Sequence, residues 1–136
     1  MASELKVDKI TGVATAGSID VTGEGNSTTT NLQQGLAKAW VKLNQTDGLA
    51  TDSFNVASVS DEGGGLGSYT FTNNMNNDAY CIVAMGGQSD FIQSNTVRTD
   101  ATPDSTSGVS TLRNANYNFT TVDTKQMNTA ILGDLA

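Results

Sequence analysis

Few residues in this chain are of types that do chemistry, and most of those are carboxylates. Asp47 with Asp52, and Asp61 with Glu62, are close enough in sequence to act as acid/base pairs. Glycoside hydrolysis needs such a pair, with one member held protonated by a raised pKa. Both pairs fall in polar segments of turn-like composition, where Asp commonly accepts hydrogen bonds from the backbone. A structural role is therefore expected of them. Asp61, Glu62 and Asp100 could only meet by folding, and no Asp-x-Asp-x-Asp-Gly string of a calcium loop is present. The chain has one cysteine, Cys81, and no histidine, so neither a zinc site nor a His-activated thiol is expected. Cys81 sits in the apolar run Tyr80-Cys81-Ile82-Val83-Ala84-Met85, which predicts a buried, inert thiol. Gly63-Gly64-Gly65-Leu66-Gly67 resembles a phosphate loop in composition only, because it follows two acids and joins two strand-like runs. Asn26, Asn44 and Asn118 open glycosylation sequons, which carry no meaning without a secretory signal, and none is evident at residues 1–10. No catalytic residue, metal or cofactor is expected.

The elements that would position any site are those of a β protein. Thr, Asn, Ser and Gly together make 58 of the 136 residues, while only 15% are charged. Low charge argues against disorder, and Thr suits strands as Asn, Gly and Ser suit turns. Apolar alternation predicts strands at residues 37–43, 53–59, 68–72, 91–98, 117–122 and 129–132, with the continuous apolar run at 80–85 as a central strand. The loop 61–67 is too long for a tight turn, so it does not set the hairpin register by itself. The fold class expected is all-β, an antiparallel β-sandwich or small barrel, with an extended N-terminal arm.

Three segments follow from composition. Residues 1–25 hold two short alternating pieces, with Leu5, Val7 and Ile10 in one and Ile19 and Val21 in the other. Neither buries enough apolar surface alone, so this segment is expected to be an arm that anchors the protein through those five residues. Completion of the body's own core is the simpler alternative. Residues 26–35 read as a polar linker in which Asn31 to Gly35 could form one helical turn, and residues 36–136 as the sandwich-like body. The net charge of −7 lies wholly in residues 43–136, with ten acids against Arg98, Arg113 and Lys125. A neutral base and an acidic, exposed head would show this division, as would chance over few charges. The acidity and scattered cations exclude a phosphate-neutralising role, so no nucleic acid is expected, and no run of about 20 apolar residues predicts membrane insertion.

The order of residues carries a family resemblance. Ala37-Lys-Ala-Trp-Val-Lys-Leu-Asn44, Asp52-Ser-Phe-Asn-Val-Ala-Ser-Val59 and Gly67-Ser-Tyr-Thr-Phe-Thr72, with Met75 and Tyr80, resemble a β domain of tailed-bacteriophage structural proteins. Those proteins are mostly tail fibres or virion structural proteins of marine and cyanobacterial phages. The ending Ile131-Leu-Gly-Asp-Leu-Ala136 and the opening Ser3-Glu-Leu-Lys-Val-Asp-Lys-Ile10 are similar to the ends of the same proteins. The resemblance implies a non-enzymatic virion-surface protein, made in the host cytoplasm, that works as a homo-oligomer, expected to be a trimer. A short tail fibre, fibre tip or knob is the first expectation, in contact with other tail or capsid proteins. A capsid decoration protein is the alternative. A glycan-binding or glycan-degrading protein is a more distant one, with a host-surface glycan as ligand. Loops 61–67, 73–78 and 99–110 are the natural places for such contacts.

Overall fold

The computed structural model describes residues 4–12, 19–23, 29–87, 93–96, 104–116, 118 and 120–136. The chain divides into two compact units, Met1–Leu36 and Ala37–Ala136.

In the first unit, β1 (Asp20–Thr22) pairs antiparallel with β2 (Thr29–Asn31), and a single helical turn, α1 (Leu32–Gly35), follows. Asn31 caps that turn, its Oδ1 accepting from the Gln34 N–H at 3.0 Å. The Leu32 N–H donates to the Ile19 carbonyl at 2.8 Å, which ties the turn to the ribbon. The helical turn expected at Asn31 to Gly35 is thus present, and residues 29–31 of the segment read as linker form a strand. Residues 4–12 form no strand, although Leu5, Val7 and Ile10 alternate. Alternation sets which face a strand buries, but a strand also needs a neighbour for its backbone groups, and none of the described strands pairs with this segment.

The second unit is two open antiparallel sheets packed face to face, a sandwich and not a closed barrel. Its strands are β3 (Ala37–Asn44), β4 (Leu49–Phe54), β5 (Val56–Gly63), β6 (Leu66–Phe71), β7 (Cys81–Gly87), β8 (Gln93–Thr96), β9 (Gly108–Asn116) and β10 (Gln126–Leu132). One sheet has the order β4-β3-β10-β7 and the other β5-β6-β9-β8. The core lies between them. Ala39, Val41 and Leu43 of β3 and Met127 and Ile131 of β10 face Tyr69 and Phe71 of β6 and Val109 and Leu112 of β9. Phe71 stacks edge-to-face between Tyr69 and Tyr80, at centroid distances of 5.9 and 5.8 Å.

Several local expectations are corrected. The run 53–59 is not one strand, because Asn55 adopts a φ of 55° and turns the chain from β4 in one sheet to β5 in the other. Asp52 lies in strand β4, and Asp61 and Glu62 in β5, rather than in turns. The strands of the 61–67 hairpin run further than expected and leave only Gly64-Gly65 as the turn, with φ of 57° and 76°. Two successive positive φ values make a type I′ turn, whose twist matches the flanking strands and sets their register. β7 is an edge strand, not a central one, and Cys81 on it is exposed. Among the described residues of 117–122 no strand forms, only the isolated bridge of Thr121 with Ala115, and residues 117 and 119 lie outside the described residues. The pairing runs instead through β9, which begins inside the loop expected at 99–110; residues 99–103 lie outside the described residues.

Candidate assembly surface

The carboxylate pairs are engaged in local structure. Asp47 Oδ2 accepts from Asn44 Nδ2 at 2.6 Å, Asp52 Oδ1 from the Ser53 N–H at 2.8 Å, and Asp61 Oδ1 from the Gly63 N–H at 2.9 Å. Glu62 accepts from Ser68 Oγ at 2.9 Å. Hydrogen bonds from Ser60 and Ser68 lower its pKa below the ordinary carboxyl value, the opposite of what a general acid requires. Asp100 lies outside the described residues. Among the described residues no three His, Cys, Asp or Glu side chains gather as metal ligands, and no helix is long and apolar enough to cross a membrane.

The buried polar groups are structural as well. Gln45 is fully buried, and its Oε1 accepts from the Thr124 N–H at 3.2 Å and Oγ1 at 3.1 Å. Asn114 Nδ2 donates to the Val122 carbonyl at 3.1 Å, and the Gly65 N–H donates to Asp123 Oδ1 at 2.5 Å. These bonds lay residues 121–125 across the end of the core beside the Gly64-Gly65 turn. At the other end of the sandwich, Tyr80 Oη is shared between the carbonyls of Ser105 at 3.0 Å and Gly108 at 2.9 Å. Loop 73–78 is pinned through buried Met75, whose N–H donates to the Thr106 carbonyl at 2.8 Å.

What distinguishes the body is the contrast between its two outer faces. An antiparallel sheet with one face on the core ordinarily presents polar side chains on the other. Strands β5 and β6 of one sheet do so: Ser58 faces Thr70 with their hydroxyls 2.6 Å apart, and Ser60 faces Ser68 beside Glu62. The sheet β4-β3-β10-β7 does not. Its register sets Val83, Ala130, Trp40 and Phe54 in one row across all four strands on the face away from the core. Val83 is 55% exposed, Phe54 53% and Trp40 37%, and Met85 at 71% extends the apolar area along β7. Next to this row, Met85, Asn128, Lys42 and Asp52 align. Cys81, Leu132 and Ala37 flank it on the other side. An exposed apolar patch that spans a sheet marks an interaction surface more often than a solvated one.

The face is the product of two bulges as well as of alternation. Ile131 pairs with Ala39 and Leu132 with Ala37, so Lys38 is the extra residue of a bulge and is buried, while Trp40 keeps its outward register. A second irregularity in the β3–β4 pairing leaves Thr51 unpaired and brings Asp52 opposite Lys42. Sequence reading placed a strand over residues 37–43 but missed Phe54, Val83 and Met85 as outward residues. The only signal for Val83 and Met85 was the lack of polar alternation in residues 80–85, which suits an edge strand with two apolar faces as well as a central strand.

The anchor residues expected from sequence lie in the first unit. Leu5, Val7, Ile10 and Val21 are exposed there and Ile19 is half-buried. Only Ile19 and Val21 share an ordered element, the β1–β2 ribbon with its preceding residue. Lys6 and Glu4 form an exposed ion pair at 3.4 Å. Comparison of the chain with protein-family models, with curated proteins and with solved structures gave no match in any of the three.

Proposed function

We propose that this chain is a non-enzymatic structural protein of a bacteriophage particle, a self-associating β-sandwich displayed at the virion surface as a short fibre, fibre tip or knob. The observation that carries the structural reading is the row Val83, Ala130, Trp40 and Phe54 on an outer sheet face, which is apolar where a solvated face would be polar. Such a face is suited to burial against protein. The hydrogen-bonded carboxylates and the lowered pKa of Glu62 favour a scaffold over a hydrolase. The particle itself is supported by the sequence resemblance of residues 37–44, 52–59 and 67–72 to phage structural proteins. Exposed Leu5, Val7 and Ile10 suit an anchor that adds to a sheet edge of a neighbouring virion protein.

Quantitative mass spectrometry of purified phage particles tests this reading. The chain is expected in the particle at a fixed ratio to the capsid protein, and its absence from washed particles would sink the idea. A ratio of a few dozen copies fits a fibre or knob, whereas one near that of the capsid protein fits a decoration protein. A body deleted of residues 1–25 is expected to be lost from particles; normal incorporation would remove the anchor role from Leu5, Val7, Ile10, Ile19 and Val21.

A further inference from the structure

We propose that the outer face of the sheet β4-β3-β10-β7 is the contact between two copies of this chain, related by a two-fold axis that runs along the strands between β3 and β10. The inference rests on the self-association proposed above, names the surface and its symmetry, and replaces the trimer that the resemblance implies with an even-numbered assembly.

Side-chain size along the apolar row sets the argument. Reading across the sheet, the row is Phe54 on β4, Trp40 on β3, Ala130 on β10 and Val83 on β7. One half is large and aromatic, and the other is small. A two-fold axis parallel to the strands and lying between β3 and β10 superposes β3 of one copy on β10 of the other, and β4 on β7. Each Trp40 then meets the second copy's Ala130, and each Phe54 meets the second copy's Val83. Large residues fall on small ones, which is the self-complementarity an isologous contact requires. A head-on register of Trp40 against Trp40 would leave the small half uncovered.

Charge points to the same occupant. The chain carries −7, all of it from residues 43–136, so most of the body's surface repels a second copy. The two central rows of this face carry only Lys42 and Asp52, one of each sign on neighbouring strands, and both exposed. The face is therefore locally neutral in an acidic molecule, and two copies can meet there without stacking like charges. On β5 and β6 the outer face of the other sheet presents the hydroxyls of Ser58, Ser60, Ser68 and Thr70 beside Glu62, which makes it the poorer contact.

Sedimentation equilibrium of the full chain is the test. The expected mass is an even multiple of 14.1 kDa. Trp40→Ala and Ala130→Trp should each weaken association about tenfold or more, as truncating or crowding an aromatic anchor does. The double variant W40A/A130W exchanges large for small within the row and should recover association. Thr70→Lys, on the polar face of the other sheet, should leave it unchanged. Cys81 flanks the row and supplies a readout independent of mutation: its alkylation by a maleimide should be slower in the associated protein than in the diluted, dissociated one. A monomer at all concentrations, an odd-numbered assembly, loss of association on Thr70→Lys alone, or equal alkylation rates in both states overturns the proposal. A monomeric result would leave presence in the particle untouched, since that is read separately by mass spectrometry.

Discussion

Asn55 and Asn73 are locked to each other at the corner where the chain passes from one sheet to the other. Asn55 Oδ1 accepts from the Asn73 N–H at 2.7 Å and from its Nδ2 at 3.0 Å, and Asn55 Nδ2 donates to the Asn73 carbonyl at 3.1 Å and the Lys38 carbonyl at 3.0 Å. One side chain thus joins β3, the β4–β5 corner and the segment after β6. Asn55 also holds a φ of 55°, which Asn tolerates better than most residues. Asn55→Gly keeps the backbone accessible but loses the side-chain bonds, and is expected to cost about 2–3 kcal/mol. Asn55→Ala should cost about 1 kcal/mol more for the left-handed backbone. Urea denaturation of the two variants checks the order; equal stability of Ala and Gly variants would contradict the backbone part.

The three glycines of the β5–β6 tip should respond very differently to alanine. At Gly65 an added Cβ would lie 2.5 Å from the Val122 N and 2.6 Å from the Asn114 O, with φ at 76°. Overpacking and backbone strain together predict a loss of about 3–5 kcal/mol for Gly65→Ala. Gly64 has only Thr121 Oγ1 near, at 3.9 Å, and Gly63 nothing within 4 Å. Their alanine variants should lose about 1–2 kcal/mol, the strain alone. Thermal melts of the three variants decide this.

Tyr69 and Tyr80 are expected to make stability fall at alkaline pH. Desolvation by burial raises both phenols above their ordinary value, and the nearby Asp104 carboxylate adds to the rise. The folded pKa exceeds the unfolded one, so the contribution is complete below the unfolded value of about 10 and is lost as pH rises beyond it. Stability measured against pH should therefore fall above about pH 10, and less steeply in Tyr80→Phe. Tyr69→Phe has a separate cost at neutral pH, because it strands the Thr129 hydroxyl that donates to Tyr69 Oη at 3.1 Å. That loss is expected to be about 1–2 kcal/mol.

Glu62 should titrate below an ordinary carboxyl group because Ser60 and Ser68 bond its charged form. Ser60→Ala and Ser68→Ala are each expected to move its pKa back up, as read by carboxyl NMR. The folded pKa is depressed, so the contribution is present above the unfolded value and disappears as pH falls through the folded one. An elevated pKa in the unaltered protein would instead reopen a general-acid role for this residue.

Composition and spacing were enough to determine the class of this protein and several of its parts. Abundant Thr, Asn, Ser and Gly with little charge specify short strands and turns. The alternation of Ala39, Val41 and Leu43 marks β3 and its buried face, and Asn31 marks its helical turn. These are local properties, set by backbone preference and by which side of a strand is apolar. What tertiary structure alone decided is which strands are central, where the chain changes sheet and which residues share an outer face. Cys81, Val83 and Met85 look like core in sequence and are exposed because they alternate onto the face of their sheet that points away from the core, a fact held in the pairing of β7 and not in its composition. Asn55 divides an apparently single strand because its bonds to Lys38 and Asn73 form only once distant segments meet. The row from Val83 to Phe54 exists only after β10, almost at the end of the chain, has paired with both β3 and β7. Strand order and register depend on contacts across the whole sequence, and a linear pattern carries no record of them.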